Sequence, residues 1–162
     1  MADLLLDTQA LFWVIYSPEH VSAAAWAAIN NPANTIYATL ASAQEIAMKI
    51  GAGKWPAALD LLENFEERIR QANYGIIAPQ AADYANTLHL TKVSGHQDPM
   101  DRLIMAMALA RKMVLVSADH HAPSYLGTSV INAGAAPSVA EKRQIIDARN
   151  AFRTIDLPDR EA

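Results

Sequence analysis

The chain has 162 residues, 52% of them hydrophobic and 19% charged, a balance that suits one globular domain with a real core and excludes overall disorder. It has no cysteine, which removes disulfides, thiolate metal sites and cysteine nucleophiles and fits a reducing cytoplasm. A net charge of -4 has the wrong sign for a surface that grips nucleic acid everywhere, yet four clustered carboxylates would account for it. No stretch approaches a membrane span, and the N-terminus lacks the basic region and long apolar run of a secretion signal.

In chain order, Asp3-Leu4-Leu5-Leu6-Asp7 reads as a short buried strand ending in an acid. Residues 8–16 continue as an apolar helix with Leu11, Phe12 and Ile15, stopped before Pro18. An Ala-rich helix over 22–30 and a strand over 35–39 follow. Ser42-Ala43-Gln44-Glu45 matches a capping box and opens a helix halted by Gly51 and Gly53. Glu45 and Lys49 are spaced for a helical ion pair, and Glu45 is equally well placed to face a cleft at the sheet edge. The loop after this helix carries Lys54, read as solvated, and Trp55, read as a packing residue; it lacks the spacing of a phosphate loop.

Residues 57–72 read as one amphipathic helix with Leu59, Leu62, Phe65 and Ile69 inside and Glu63, Glu66, Glu67, Arg68 and Arg70 wet. A strand over 74–78 and a helix over 79–89 follow, then a loop to Gln97. His96-Gln97-Asp98-Pro99-Met100-Asp101-Arg102 marks a helix start, with Asp98 as N-cap, Pro99 in the first turn and Asp101 facing the positive end of the dipole. That helix is apolar through Ala110, and Met105 and Met107 are read as packing. The clearest strand spans 112–117 and runs into Asp119, and 128–132 reads as an edge strand. Ser138-x-x-Glu141 starts a further helix to about Phe152, ahead of a polar tail with Pro158. There is no internal repeat. The division expected is a domain over 1–134 and a C-terminal helix and tail over 135–162.

Strands alternating with helices imply a parallel sheet covered on both faces. Its strand ends share one edge, so Asp7, Glu45, Asp98/Asp101 and Asp119 can converge there. Converging carboxylates resist ionising together unless a cation lies between them. Hard oxygen donors without cysteine favour Mg²⁺ or Mn²⁺ over Zn²⁺, and such ions activate water for phosphodiester cleavage.

Four segments, Leu4-Leu5-Leu6-Asp7-Thr8, Ser42-Ala43-Gln44-Glu45-Ile46, His96-Gln97-Asp98-Pro99-Met100-Asp101-Arg102-Leu103-Ile104 and Leu115-Val116-Ser117-Ala118-Asp119, resemble the successive signatures of PIN-domain ribonucleases. The subgroup they look most like is the VapC-type toxins of bacterial toxin–antitoxin pairs. The resemblance covers about residues 3–132. It implies a three-layer α/β/α sandwich with a mainly parallel sheet, here with a C-terminal helical extension, and a Mg²⁺- or Mn²⁺-dependent endoribonuclease. The family's acidic site carries over to Asp7, Glu45, Asp101 and Asp119. Asp7 and Asp101 would hold the principal metal, while Glu45 and Asp119 would bind a second ion or orient water. Asp98, Thr8 and Ser42 are secondary candidates, Thr8 as a hydroxyl supporting the first acid. Lys49, Lys54 and Arg102 are weaker candidates for RNA contact. The resemblance also implies a small antitoxin partner and a homodimer. Met100 stands where an aromatic is common, and the helix over 138–152 has no counterpart in the usual domain.

Two other functions compete. A PIN-like module could bind RNA or protein without cutting. A mononuclear metal hydrolase could use His96, Asp98, Asp119, His120 and His121, although adjacent His120 and His121 are not expected to face one ion. A haloacid-dehalogenase-like phosphatase is rejected because Gln9 occupies the position of its second Asp.

Overall fold

The computed structural model describes residues 1–91, 98–127 and 129–134. His96 and Gln97, the helix over 138–152 and the polar tail lie outside the described residues. Five strands form one parallel sheet in the order β3-β2-β1-β4-β5: β1 (Asp3–Leu6), β2 (Thr35–Thr39), β3 (Gly75–Ile77), β4 (Val114–Ser117) and β5 (Val130–Asn132). The sheet's strand order reverses at β1, so the crevice between the carboxyl ends of β1 and β4 is the topological switch point where such sheets hold ligands.

The apolar run of β1 has a direct cause in the pleat. Leu4 and Leu6 enter one core with Ile36, Ala38 and Val116, whereas Leu5 enters the other with Leu115. Alternate side chains leave on opposite faces, and both faces are covered, so no position can be polar. The first core is closed by α1 (Thr8–Tyr16), α2 (Ala23–Ile29), α3 (Leu40–Gly51), α4 (Leu59–Glu63) and α5 (Phe65–Gln71). Opposite them, α7 (Pro99–Ala110) and α8 (Ala122–Leu126) close the second, and α6 (Ala81–Asn86) packs on α7. Met105 and Met107 are fully buried packing residues, as read from the sequence. Trp55 packs against Phe12 with the rings tilted and their centroids 5.0 Å apart. At the sheet edge β3 begins at Gly75, opposite Tyr37, where an added Cβ would meet the Tyr37 ring at 2.6 Å.

Several boundaries differ from the sequence reading. The third helix begins at Leu40 and is capped by Thr39, whose hydroxyl accepts the Ala41 N–H at 3.2 Å. Ser42 and Glu45 are therefore not a capping box; they lie inside α3 and are buried. The single helix read over 57–72 is interrupted at Asn64, whose side chain reaches back to the Asp60 carbonyl and carboxylate at 3.1 Å each. Asparagine competes with the helical ladder in this way. The inner stripe is Leu61, Phe65 and Ile69, while Leu59 is 45% exposed. Arg68, expected on the wet face, pairs with Asp60 at 2.9 Å, and Asp60 also accepts the Tyr16 hydroxyl at 2.5 Å, tying α1 to α4 and α5. The helix over 79–89 shortens to α6 plus a 3-10 turn at Thr87–His89. The short helix α8 was not legible in the sequence.

The far end of α7 is anchored by charge. Arg111 bonds both Asp83 oxygens at 2.5 and 2.8 Å, and Asp83 also accepts the Gln80 N–H at 2.8 Å. The guanidinium, foremost, holds the Asp83 carboxyl below its ordinary range. Asp83 is 3% exposed, so removing its partner strands a buried charge. Arg111→Gln is expected to cost about 2–4 kcal/mol in denaturant unfolding. The double change Asp83→Asn with Arg111→Gln is expected to cost less than Arg111→Gln alone.

Candidate active site at the carboxyl edge of the sheet

Each acid arrives by a different route. Asp7 follows β1 directly, and Leu6 pairs with Val116 in register, so Asp7 emerges beside Ser117. Its Oδ1 caps α1 by accepting the Ala10 N–H at 2.6 Å, and its Oδ2 accepts the Ser117 hydroxyl. The same Ser117 hydroxyl accepts the Asp119 N–H at 3.0 Å, holding the turn after β4. Glu45 projects from the second turn of α3. Its Oε2 accepts the Thr8 hydroxyl, which lies 3.0 Å from that of Ser42, and its Oε1 takes Lys49 Nζ at 2.5 Å. Asp101 stands in the first turn of α7, behind the Asp98 cap.

These segments meet in one place. Asp7, Glu45, Asp101 and Asp119 line a cleft of about 240 Å³, together with Thr8, Gln9, Lys49 and Ala118. Burial pushes the Asp7 carboxyl from 3.8 up to about 6, and the charge on Glu45 adds to that, against the bonds from Ser117 and the Ala10 and Ala118 N–H groups. Lys49 is pulled both ways. Burial opposes its charge, but the hydrogen bond to Glu45 and the fields of Glu45, Asp101 and Asp98 outweigh burial and raise its pKa. Its ammonium also lies 5.4 Å from the centre of the Trp55 ring. Among the described residues lining the cleft, one ammonium thus faces four carboxylates, an imbalance that a divalent cation would correct. Among the described residues that line this cleft, carboxylate and hydroxyl oxygens are the side-chain donors besides Gln9 and Lys49, which suits a hard ion such as Mg²⁺ or Mn²⁺.

The remaining sequence candidates fall elsewhere. Asp98 is exposed and uses its carboxylate to accept the Met100 and Asp101 N–H groups at 2.9 and 3.3 Å. Lys54 is exposed on the loop after α3 and does not line the cleft. Arg102 also lies outside the lining: its guanidinium bonds the Thr87 carbonyl at 2.9 Å and the Tyr125 hydroxyl at 3.2 Å, joining α7 to its neighbours. Ser117 was not singled out by sequence reasoning. Its signal is the parallel register, which sets it beside Asp7, and that pairing is not visible before the sheet is built. The turn after β4 sets His120 and His121 side by side, with ring centroids 3.9 Å apart. One donor atom each from Asp119, His120 and His121 lies within 4.8 Å of the others.

Comparison with known proteins agrees with this architecture. The PIN domain family matches residues 4–125. The chain belongs to the PIN domain family. Its PIN domain is similar in fold to the crystal structure of VapBC2 from Rickettsia felis bound to a DNA fragment from their promoter. That match has 17% identity and a TM-score of 0.50, and it covers 81% of this chain and 98% of that one. Among curated proteins nothing matches the sequence. Within the described residues of this PIN domain, no helix is long and apolar enough to cross a membrane.

The raised Asp7 value has a measurable consequence. A carboxyl whose folded pKa exceeds its unfolded one favours the folded state when protonated. The contribution is complete below pH 3.8 and is lost as pH rises through about 6. In EDTA, stability at pH 5 relative to pH 7.5 is expected to be greater in the wild type than in Asp7→Asn, read from thermal unfolding midpoints. An identical difference in both proteins refutes the assignment.

Proposed function

We propose that this PIN domain is a divalent-metal-dependent endoribonuclease and the toxin of a VapBC-type toxin–antitoxin pair. The observation that carries the reading is the convergence of Asp7, Glu45, Asp101 and Asp119, from four separate segments, on one cleft at the switch point of the sheet. In this reading Asp7 and Asp101 hold the principal Mg²⁺ or Mn²⁺, and Glu45 and Asp119 complete the pocket. When bound there, the ion would supply an activated water and stabilise the leaving oxygen of an RNA phosphodiester.

The protein's own groups do the positioning. The Ser117 hydroxyl and the Ala10 N–H fix the two oxygens of Asp7. The Thr8 hydroxyl and Lys49 do the same for Glu45, so the carboxylates are held before any ion or substrate arrives. Among the described residues Lys49 is the cation best placed to meet a phosphate, since it lines the cleft. Ser42 acts at one remove, through Thr8. The nuclease unit in this proposal is residues 1–134. A small antitoxin is the expected partner, in keeping with the VapBC2 complex that the fold resembles. A homodimer and a cytoplasmic location complete the proposal.

The non-catalytic alternative is decided by experiment. Asp101→Asn is expected to lower RNA cleavage by more than the about 10–100-fold typical of outer-shell changes, with an unchanged unfolding midpoint. EDTA is expected to abolish cleavage, and Mn²⁺ or Mg²⁺ to restore it. Cleavage that persists in EDTA contradicts the proposed chemistry. If the protein binds RNA equally well with and without the substitution and never cuts it, the domain is a binding module. The mononuclear hydrolase reading is weakened by Asp98, which lies outside both the cleft lining and the group formed by Asp119, His120 and His121.

A further inference from the structure

Directly after β4 the chain makes a tight turn. The His121 N–H donates to Asp119 Oδ1 at 2.8 Å, and the Ala122 N–H donates to the Asp119 carbonyl at 3.1 Å. His120 Nδ1 lies 3.9 Å from Asp119 Oδ1. Three consecutive residues thereby present a carboxylate and two imidazoles with donor atoms within 4.8 Å of one another. This donor set differs from that of the cleft. Imidazole nitrogen suits a borderline transition-metal ion, whereas the all-oxygen cleft suits a hard one. Metal–ligand bonds of about 2.0–2.2 Å in a tetrahedral site separate the donors by about 3.4 Å. The widest separation must therefore close by up to about 1.4 Å, and the side chain of His120, 85% exposed, can rotate toward the other two groups.

We propose that Asp119, His120 and His121 form a second metal site, for Zn²⁺ or a similar ion, that shares Asp119 with the acidic cleft. Three protein ligands and one water complete a tetrahedral sphere. An ion bound there recruits the Asp119 carboxylate to the rim and away from the hard-ion pocket, so zinc antagonises Mg²⁺ or Mn²⁺. This antagonism rests on the nuclease reading; zinc binding at the histidines does not.

The test is a ZnCl₂ titration of the full chain in excess Mg²⁺, read by competition with a chromophoric chelator. One zinc per chain is expected. His120→Gln alone, a change at an exposed side chain, and His120→Ala with His121→Ala together are each expected to weaken binding by at least about tenfold. Asp101→Asn, which removes a ligand of the competing Mg²⁺, is expected to leave zinc affinity undiminished. Equal affinity in the wild type and both histidine variants overturns the site. In RNA cleavage with Mg²⁺, zinc is expected to inhibit the wild type and to spare the double variant. Equal inhibition of both overturns the shared ligand. A chain that cuts no RNA with any divalent ion counts against the nuclease reading, and the zinc affinities still decide the metal site.

Discussion

Asp7 and Glu45 belong to segments 38 residues apart, yet the charge on one raises the proton affinity of the other. Carboxylates crowded in this way are costly to ionise together, and a fold keeps them close only if other contacts hold them there. Here two hydroxyls are among the holding groups. Ser117 bonds Asp7 across the β1–β4 pairing, and Thr8 bonds Glu45 across the α1–α3 contact. The apolar sheet beneath supplies the rigidity. Leu4, Leu5 and Leu6 are essentially inaccessible, so the strand ends that aim Asp7 and Ser117 are fixed by close packing on both faces.

Local structure and chemistry share the same atoms at this edge. Asp7 is a helix cap through one oxygen and part of the cleft through the other. The roles are compatible, because a residue between a strand and a helix lies where the sheet leaves its crevice and where helical N–H groups lack partners. Asp98 resolves the other way. It caps α7 and is exposed, and Asp101, one turn on, is the carboxylate that reaches the cleft. Capping by Asp98 fixes the start of α7 and hence where Asp101 points.

The sheet and its order of elements were legible because both faces of the strands are buried, which leaves uninterrupted apolar runs bounded by acids or turn residues. The convergence of the four acids followed from parallel topology. Side-chain choices between neighbours were less legible. Ser42 and Glu45 match a capping pattern, but Thr39 caps the helix one turn earlier and releases both to the interior. Arg68 and Arg102 look like solvated or RNA-facing cations, yet each meets a partner on another element, Asp60 or the Thr87 carbonyl. The break at Asn64 depends on a side chain that folds back on its own helix. The adjacency of His120 and His121 depends on a turn whose dihedral angles no residue pattern announces. Such features are set by tertiary contacts, which spacing along the chain does not encode.

The central claim is that one hard divalent ion sits between Asp7 and Asp101 in the acidic cleft. Its most direct test is the anomalous difference map of crystals soaked in Mn²⁺. The account expects a peak about 2.0–2.2 Å from a carboxylate oxygen of each of these two residues, absent from crystals of Asp7→Asn. A cleft with no peak at saturating Mn²⁺, or a peak that survives Asp7→Asn, contradicts it.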